Sequence, residues 1–88
     1  MNKYSNLQEV QRLANKYNIG KVFISSRKDK KYMVKNPNGW MVHFGAVGYA
    51  DYTAHKDEER RKRFRVRNHK WSMSPKWSPA WLSYYLLW

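Results

Sequence analysis

The sequence predicts an α+β fold: a short antiparallel meander of about three strands, packed with an N-terminal helix, a basic helix and an aromatic C-terminal helix. Three observations predict it. Apolar residues near the start recur at helical spacing. An Asn-Pro-Asn-Gly turn lies between two alternating apolar runs. Two helix-start signals, Asp57 and Ser78-Pro79, follow in the second half. The 88 residues leave room for one domain and one core. They divide into a helical extension (1–20), a β-meander (21–45), a basic helical segment (49–69) and an aromatic helix (78–88).

In the first segment, Leu7, Val10, Leu13, Ala14 and Tyr17 define one face of a helix over residues 5–17. Ser5 and Gln8 have the form of a capping box, and Asn18 with Gly20 supplies an ending. Residues 21–25, KVFIS, are β-branched and aromatic, which suits a strand, and the polar run 26–30 reads as a loop. Residues 31–35 and 40–44 then flank Asn36-Pro37-Asn38-Gly39. Pro fits the second turn position, and Gly tolerates the left-handed conformation after it, so the stretch reads as a hairpin. Gly45–Gly48 reads as a flexible connection, and residues 49–55 as one helical turn or a short helix. Asp57 is placed to cap a helix over residues 57–68, with Glu58 and Glu59 in its first turn and cations toward its end, the order the helix dipole favours. Residues 70–77 read as a loop. Ser78-Pro79 then opens a last helix whose sequence, AWLSYYLLW, is nearly all apolar or aromatic.

Aromatic residues make up 17% of the chain, which lets a short sequence bury more area per residue. Eighteen Lys and Arg oppose six Asp and Glu, for a net charge of +12. A charge of one sign on that scale attracts a polyanion: nucleic acid, an anionic membrane surface or an acidic protein. The absence of cysteine excludes disulfides and thiolate metal sites. No window approaches the ~18 apolar residues of a membrane span, and the start lacks the basic-then-apolar pattern of a secretory signal, so a soluble product of the cytosol is expected.

The densest feature is the run Arg60, Arg61, Lys62, Arg63, Phe64, Arg65, Val66, Arg67, with Lys70 close behind. On a helix, Arg60, Arg63 and Arg67 share one face and Arg61 and Arg65 another, while Phe64 is free to anchor the helix. Guanidinium groups pair with phosphate in a bidentate fashion and stay charged, so binding by phosphate neutralisation and counterion release is expected. The ordinary alternative is a solvated helix partly paired with Asp57, Glu58 and Glu59. Arg27, Lys28, Lys30 and Lys31 form a second basic cluster that either extends this surface or is a plain charged loop. Tyr32, Trp40 and Phe44 stand on the hairpin, where rings serve either as core or as base-stacking platforms. Trp77, Trp81, Tyr84, Tyr85, Leu87 and Trp88 compose an apolar tail that either covers the sheet or docks on another chain. His43, His55 and His69 lack metal-ligand spacing, and no nucleophile triad, P-loop or dinucleotide fingerprint is present. The expectation is a protein without catalytic residues, cofactor or metal.

The order His43-Phe44-Gly45, Gly48-Tyr49, Asp51-Tyr52-Thr53, His55-Lys56-Asp57, an Arg-rich run and Leu87-Trp88 resembles a family of small, basic, uncharacterised proteins of large eukaryotic (nucleocytoplasmic) DNA viruses. The resemblance covers about residues 30–88. This chain has Arg67-Asn68-His69 where an Arg-His pair is the pattern. The resemblance implies a viral origin and a virion or packaging role at the host assembly site, with DNA favoured over RNA as partner. It implies no activity. The shared Asp51, His55 and Asp57 are expected first to cap helices and lock the turn after His43-Phe44-Gly45, and only second to form a site. A minor capsid or cementing role, with other capsid proteins as partners, is the alternative.

Overall fold

A computed structural model describes residues 4–88; the first three residues of the predicted 1–20 extension lie outside it. Helix α1 spans Leu7–Lys16. Its cap is Asn6, one residue later than predicted: the Asn6 carboxamide oxygen accepts from the backbone N–H of Gln8 (3.1 Å) and Glu9 (3.3 Å). That frees Ser5, which is buried with its hydroxyl 3.2 Å from that of Thr53. Asn18 ends the helix in the left-handed region (φ 60). Val10 and Ala14 are fully buried, while Leu7 at the open end of the helix is exposed.

Strands β1 (Val22–Ile24), β2 (Lys30–Lys35) and β3 (Met41–Ala46) form the expected antiparallel meander in the order β1-β2-β3. The register pairs Val22 with Val34, Tyr32 with Phe44 and Val34 with Val42. Side chains alternate between faces, so Val22, Tyr32, Val34 and Phe44 are buried on the inner one. Phe23, Met33 and His43 form a row on the outer face. The hairpin turn closes through Gly39 N–H to the Asn36 carbonyl (2.9 Å). Asn36 also accepts on its side chain from Asn38 and Trp40 N–H. Trp40 is thereby held in the turn, 73% exposed, and is not part of the alternating strand face.

The expected flexible connection at Gly45 is in fact strand. Gly45 has φ +83, and a Cβ there would lie 2.9 Å from a Leu87 methyl and 3.2 Å from the Lys31 Cβ. Close approach of the tail to the sheet therefore demands glycine at this point. Helix α2 (Tyr52–His55) is one turn, capped by Asp51, and α3 (Glu58–Arg67) is capped by Asp57, which accepts from Glu59 and Arg60 N–H. A 3₁₀ turn, His69–Met73, occupies part of the expected loop. The last helix, α4, starts at Pro79 behind its Ser78 cap, runs to Leu82 and continues as a π-helical stretch, Ser83–Leu87.

Helix α1 and the α4 stretch cover the inner face of the sheet. Val10, Ala14, Ile19, Val22, Tyr32, Val34, Phe44, Leu82, Leu86 and Leu87 make one core. Of the two readings of the tail, cover for the sheet or docking surface, Tyr84, Leu86 and Leu87 follow the first and are buried, while Trp77, Trp81, Tyr85 and Trp88 stay partly exposed. Tyr84 and Leu87 (2% exposed) have no surface to offer, and Trp77, Trp81 and Trp88 pack against the core from its margin. Tyr85 closes an aromatic cluster with Tyr17 and Trp81, and its hydroxyl donates to the Ser72 carbonyl. The physical reason is area: a chain this short must draw on its own tail, where each buried Leu contributes ~1.5–3 kcal/mol. Among the described residues no helix is long and apolar enough to cross a membrane.

Candidate nucleic-acid interface

The residues between β3 and α3 do structural work. Lys31, 5% exposed, places its ammonium 2.9 Å from the Asp51 carboxylate, 2.5 Å from the Tyr49 carbonyl and 3.3 Å from the Tyr4 carbonyl, so all three donors are used. The other Asp51 oxygen accepts from the Thr53 N–H and hydroxyl, and the Thr53 hydroxyl oxygen in turn accepts from Asn6 N–H. This node joins the start of α1, strand β2 and α2. It removes Lys31 from the candidate binding set, because a buried, fully paired ammonium has no charge to spare for a phosphate. His55 accepts the Asp57 N–H on Nδ1 (2.9 Å), and its ring lies 5.2 Å from that of Trp88. Burial first, then the Arg60 guanidinium, holds its pKa below the ordinary histidine value. Asp51 and Asp57 cap α2 and α3 as expected, whereas His55 caps neither and instead holds the backbone between them.

The cations of α3 divide by face as the spacing requires. Arg61 and Arg65 turn inward and donate to the main-chain oxygen of Trp88 (2.8 Å from Arg61 Nε, 3.1 Å from an Arg65 terminal nitrogen). Arg61 also lies over the Tyr52 ring and Arg65 over that of Tyr84. These two bind the tail to the helix and are only half-exposed. Phe64 anchors the helix by stacking on Trp88, ring centroids 4.2 Å apart and planes 5° from parallel. Arg60, Lys62, Arg63, Arg67 and Lys70 remain exposed. Among the described residues only Arg63 of these has an acidic partner, Glu59 at 4.0 Å, a distance that contributes little at the surface.

Arg60, Phe64, Arg67 and Trp71 follow one another at spacings of four, three and four, and together form one wall of an open cleft of about 660 Å³. The facing wall is the end of the sheet and the chain leaving it: Lys30, Gly45, Ala46, Gly48, Tyr49 and Ala50. Ala80, Ser83, Leu87 and Trp88 floor it. Lys30 is thus brought to the same cleft as Arg60 and Arg67. Arg27 and Lys28 are exposed on the loop before it, whose Asp29 carbonyl accepts from Val47 N–H. Lys62 faces away from this cleft, toward a groove with Val66 and His69.

The lining carries one carboxylate, Asp51, already committed to Lys31 and Thr53. Lys30, Arg60 and Arg67 are therefore not neutralised. Of the hairpin rings, Tyr32 and Phe44 are core. Of the rings that line the cleft, Tyr49 (72% exposed) and Trp71 (37% exposed) are the open ones, and neither was a candidate site residue in the sequence. The four-three-four series from Arg60 to Trp71 is the signal that would have marked Trp71. Tyr49 had none, because its place depends on where strand β3 ends. Among the described residues no group of three or more His, Cys, Asp or Glu is gathered as a metal site would need.

A sequence profile described as "Family of unknown function (DUF5754)" matches residues 20–71, more than half of the chain. No curated protein and no solved structure matches the chain.

Proposed function

Since the chain belongs to that family of unknown function, we propose from its own residues that it is a non-enzymatic protein that binds nucleic acid through the phosphate backbone. The observation that carries this is the set of exposed cations Arg60, Lys62, Arg63, Arg67 and Lys70 on and just after α3, with Lys30 across the cleft, in a chain of net charge +12. Carboxylates near them are few or already used. A surface of this kind lowers its free energy by displacing the counterions condensed on a phosphate chain. The sequence carries no base-reading motif, so phosphate contacts dominate and the binding is sequence-nonspecific. The resemblance to small basic proteins of large eukaryotic DNA viruses extends the proposal to a virion-associated protein, acting in the particle or at the assembly site on DNA.

A titration against unrelated duplexes of equal length at several salt concentrations tests this. Affinity is expected to be alike across sequences and to fall steeply with salt. Reversing Arg60, Arg63 and Arg67 to Glu is expected to abolish it with the melting temperature retained. Unchanged affinity in that variant refutes the proposal.

The second reading, a minor capsid or cementing protein, has one observation in its favour. The outer face of the sheet exposes Phe23 and Met41, and the hairpin turn beside it exposes Trp40. On this reading the contact with other capsid proteins moves from the buried tail to the sheet. Failure of every duplex to bind at low salt, with capsid protein retained on the immobilised domain, decides for it.

A further inference from the structure

The cleft between α3 and the end of the sheet differs from the rest of the basic surface. It joins uncompensated cations to aromatic rings in one concavity. We propose that it receives a single unpaired nucleotide, so that the protein prefers single-stranded to duplex nucleic acid. This rests on the nucleic-acid reading above and names the form of the polymer.

Three features of the cleft argue for it. Its volume, about 660 Å³, lies within the ~300–1,000 Å³ of sites that enclose small molecules. Two exposed rings line it, one from each wall: Tyr49 on the chain leaving β3 and Trp71 on the turn after α3. A base offers a π-face that stacks on such rings whatever its identity, and inside a duplex that face is already covered. Arg60, Arg67 and Lys30 stand around the same space, while Asp51 and Lys31 neutralise each other beneath it. One concavity thus offers cations for a phosphate beside open rings for a base. Phe64 cannot offer the face that already stacks on Trp88, which leaves Tyr49 and Trp71 as the platforms. The remaining wall is mostly main chain and small side chains, Gly45, Ala46, Gly48 and Ala50, which leaves room for a planar ring against the two platforms.

The chemistry recognised is that of a nucleoside phosphate, carried on a strand or free in solution, and the test separates these. Fluorescence anisotropy at fixed low salt would compare a labelled thymidine 12-mer, the same phosphate chain with abasic residues, and a duplex matched in number of phosphates. The base-bearing strand is expected to bind on the order of tenfold more tightly than either comparator, about what one stacked base contributes. Tyr49→Ser and Trp71→Ser are each expected to bring the ratio of strand to abasic affinity toward one. Tyr49 sits on exposed chain, so that variant keeps the test meaningful if loss of Trp71 unsettles Phe64. Equal affinity for base-bearing and abasic strands, with duplex binding intact, overturns this inference and leaves backbone binding standing. No binding to any of the three overturns both. Displacement of the strand by thymidine monophosphate at equal concentration assigns the cleft to a free nucleotide and overturns the preference for a strand.

Discussion

Replacing Lys31 by Met separates a structural cation from a binding one. Lys31 adjoins Lys30 in a basic cluster, yet its ammonium is buried against Asp51 and two main-chain carbonyls. Met fills the same length but donates nothing. The Asp51 carboxylate keeps Thr53 and loses the partner of its second oxygen, so a buried charge is left unpaired. Removing one member of such a pair costs about 3–5 kcal/mol. A domain of this length holds roughly 4–13 kcal/mol in all, at ~0.05–0.15 kcal/mol per residue. At ~4–8 °C per kcal/mol, the melting temperature should fall by roughly 12–40 °C. The double variant Lys31→Met with Asp51→Asn should recover part of this, because no charge is then stranded. Thermal unfolding followed by circular dichroism reads the stability, and DNA affinity is read at a temperature where the variant is folded. A melting temperature within a few degrees of the parent, together with a loss of DNA affinity, would refute the reasoning and return Lys31 to the binding surface.

Two further outcomes are expected. Leu86→Ala, at a fully buried tail position, should cost about 2–5 kcal/mol as a cavity opens against the sheet; a tail that serves only to dock on another chain would lose almost nothing in chemical denaturation. The second concerns pH. His55 has its folded-state pKa depressed, by burial first and then by Arg60, with Lys31 acting in the same sense and Asp57 and Asp51 opposing. The unfolded chain therefore takes up a proton first. Stability from this residue is complete above the ordinary histidine value of about 6.5 and is lost as pH falls below it toward the depressed value. Denaturant midpoints should drop between neutral pH and the onset of carboxylate titration, and His55→Gln should flatten that drop; an identical slope in the variant would place the effect elsewhere.

Local chemistry wrote much of this molecule into its sequence. Asn36-Pro37-Asn38-Gly39 closes the hairpin through bonds within five residues, and Asp57 and Ser78 cap the helices that follow them. The period of two on β2 and the spacing of α1 name the inner faces, and the division of α3 into an Arg60 face and an Arg61 face follows from 3.6 residues per turn. The sequence could not decide between partners far apart in the chain. Lys30 and Lys31 are neighbours of the same type and both line the cleft, and only the carboxylate of Asp51, 20 residues away, buries and pairs the second. Arg61 and Arg65 match Arg60 and Arg67 in chemistry, and only the path of the tail, which brings Trp88 beneath them, turns the first two into struts. The tail itself read equally as core or as interface, because apolar residues say that they will be buried without saying against what. The cleft belongs wholly to the tertiary structure. Its two walls come from segments that approach only because Gly45 lets the tail lie flat on the sheet and Phe64 stacks on the ring at its end.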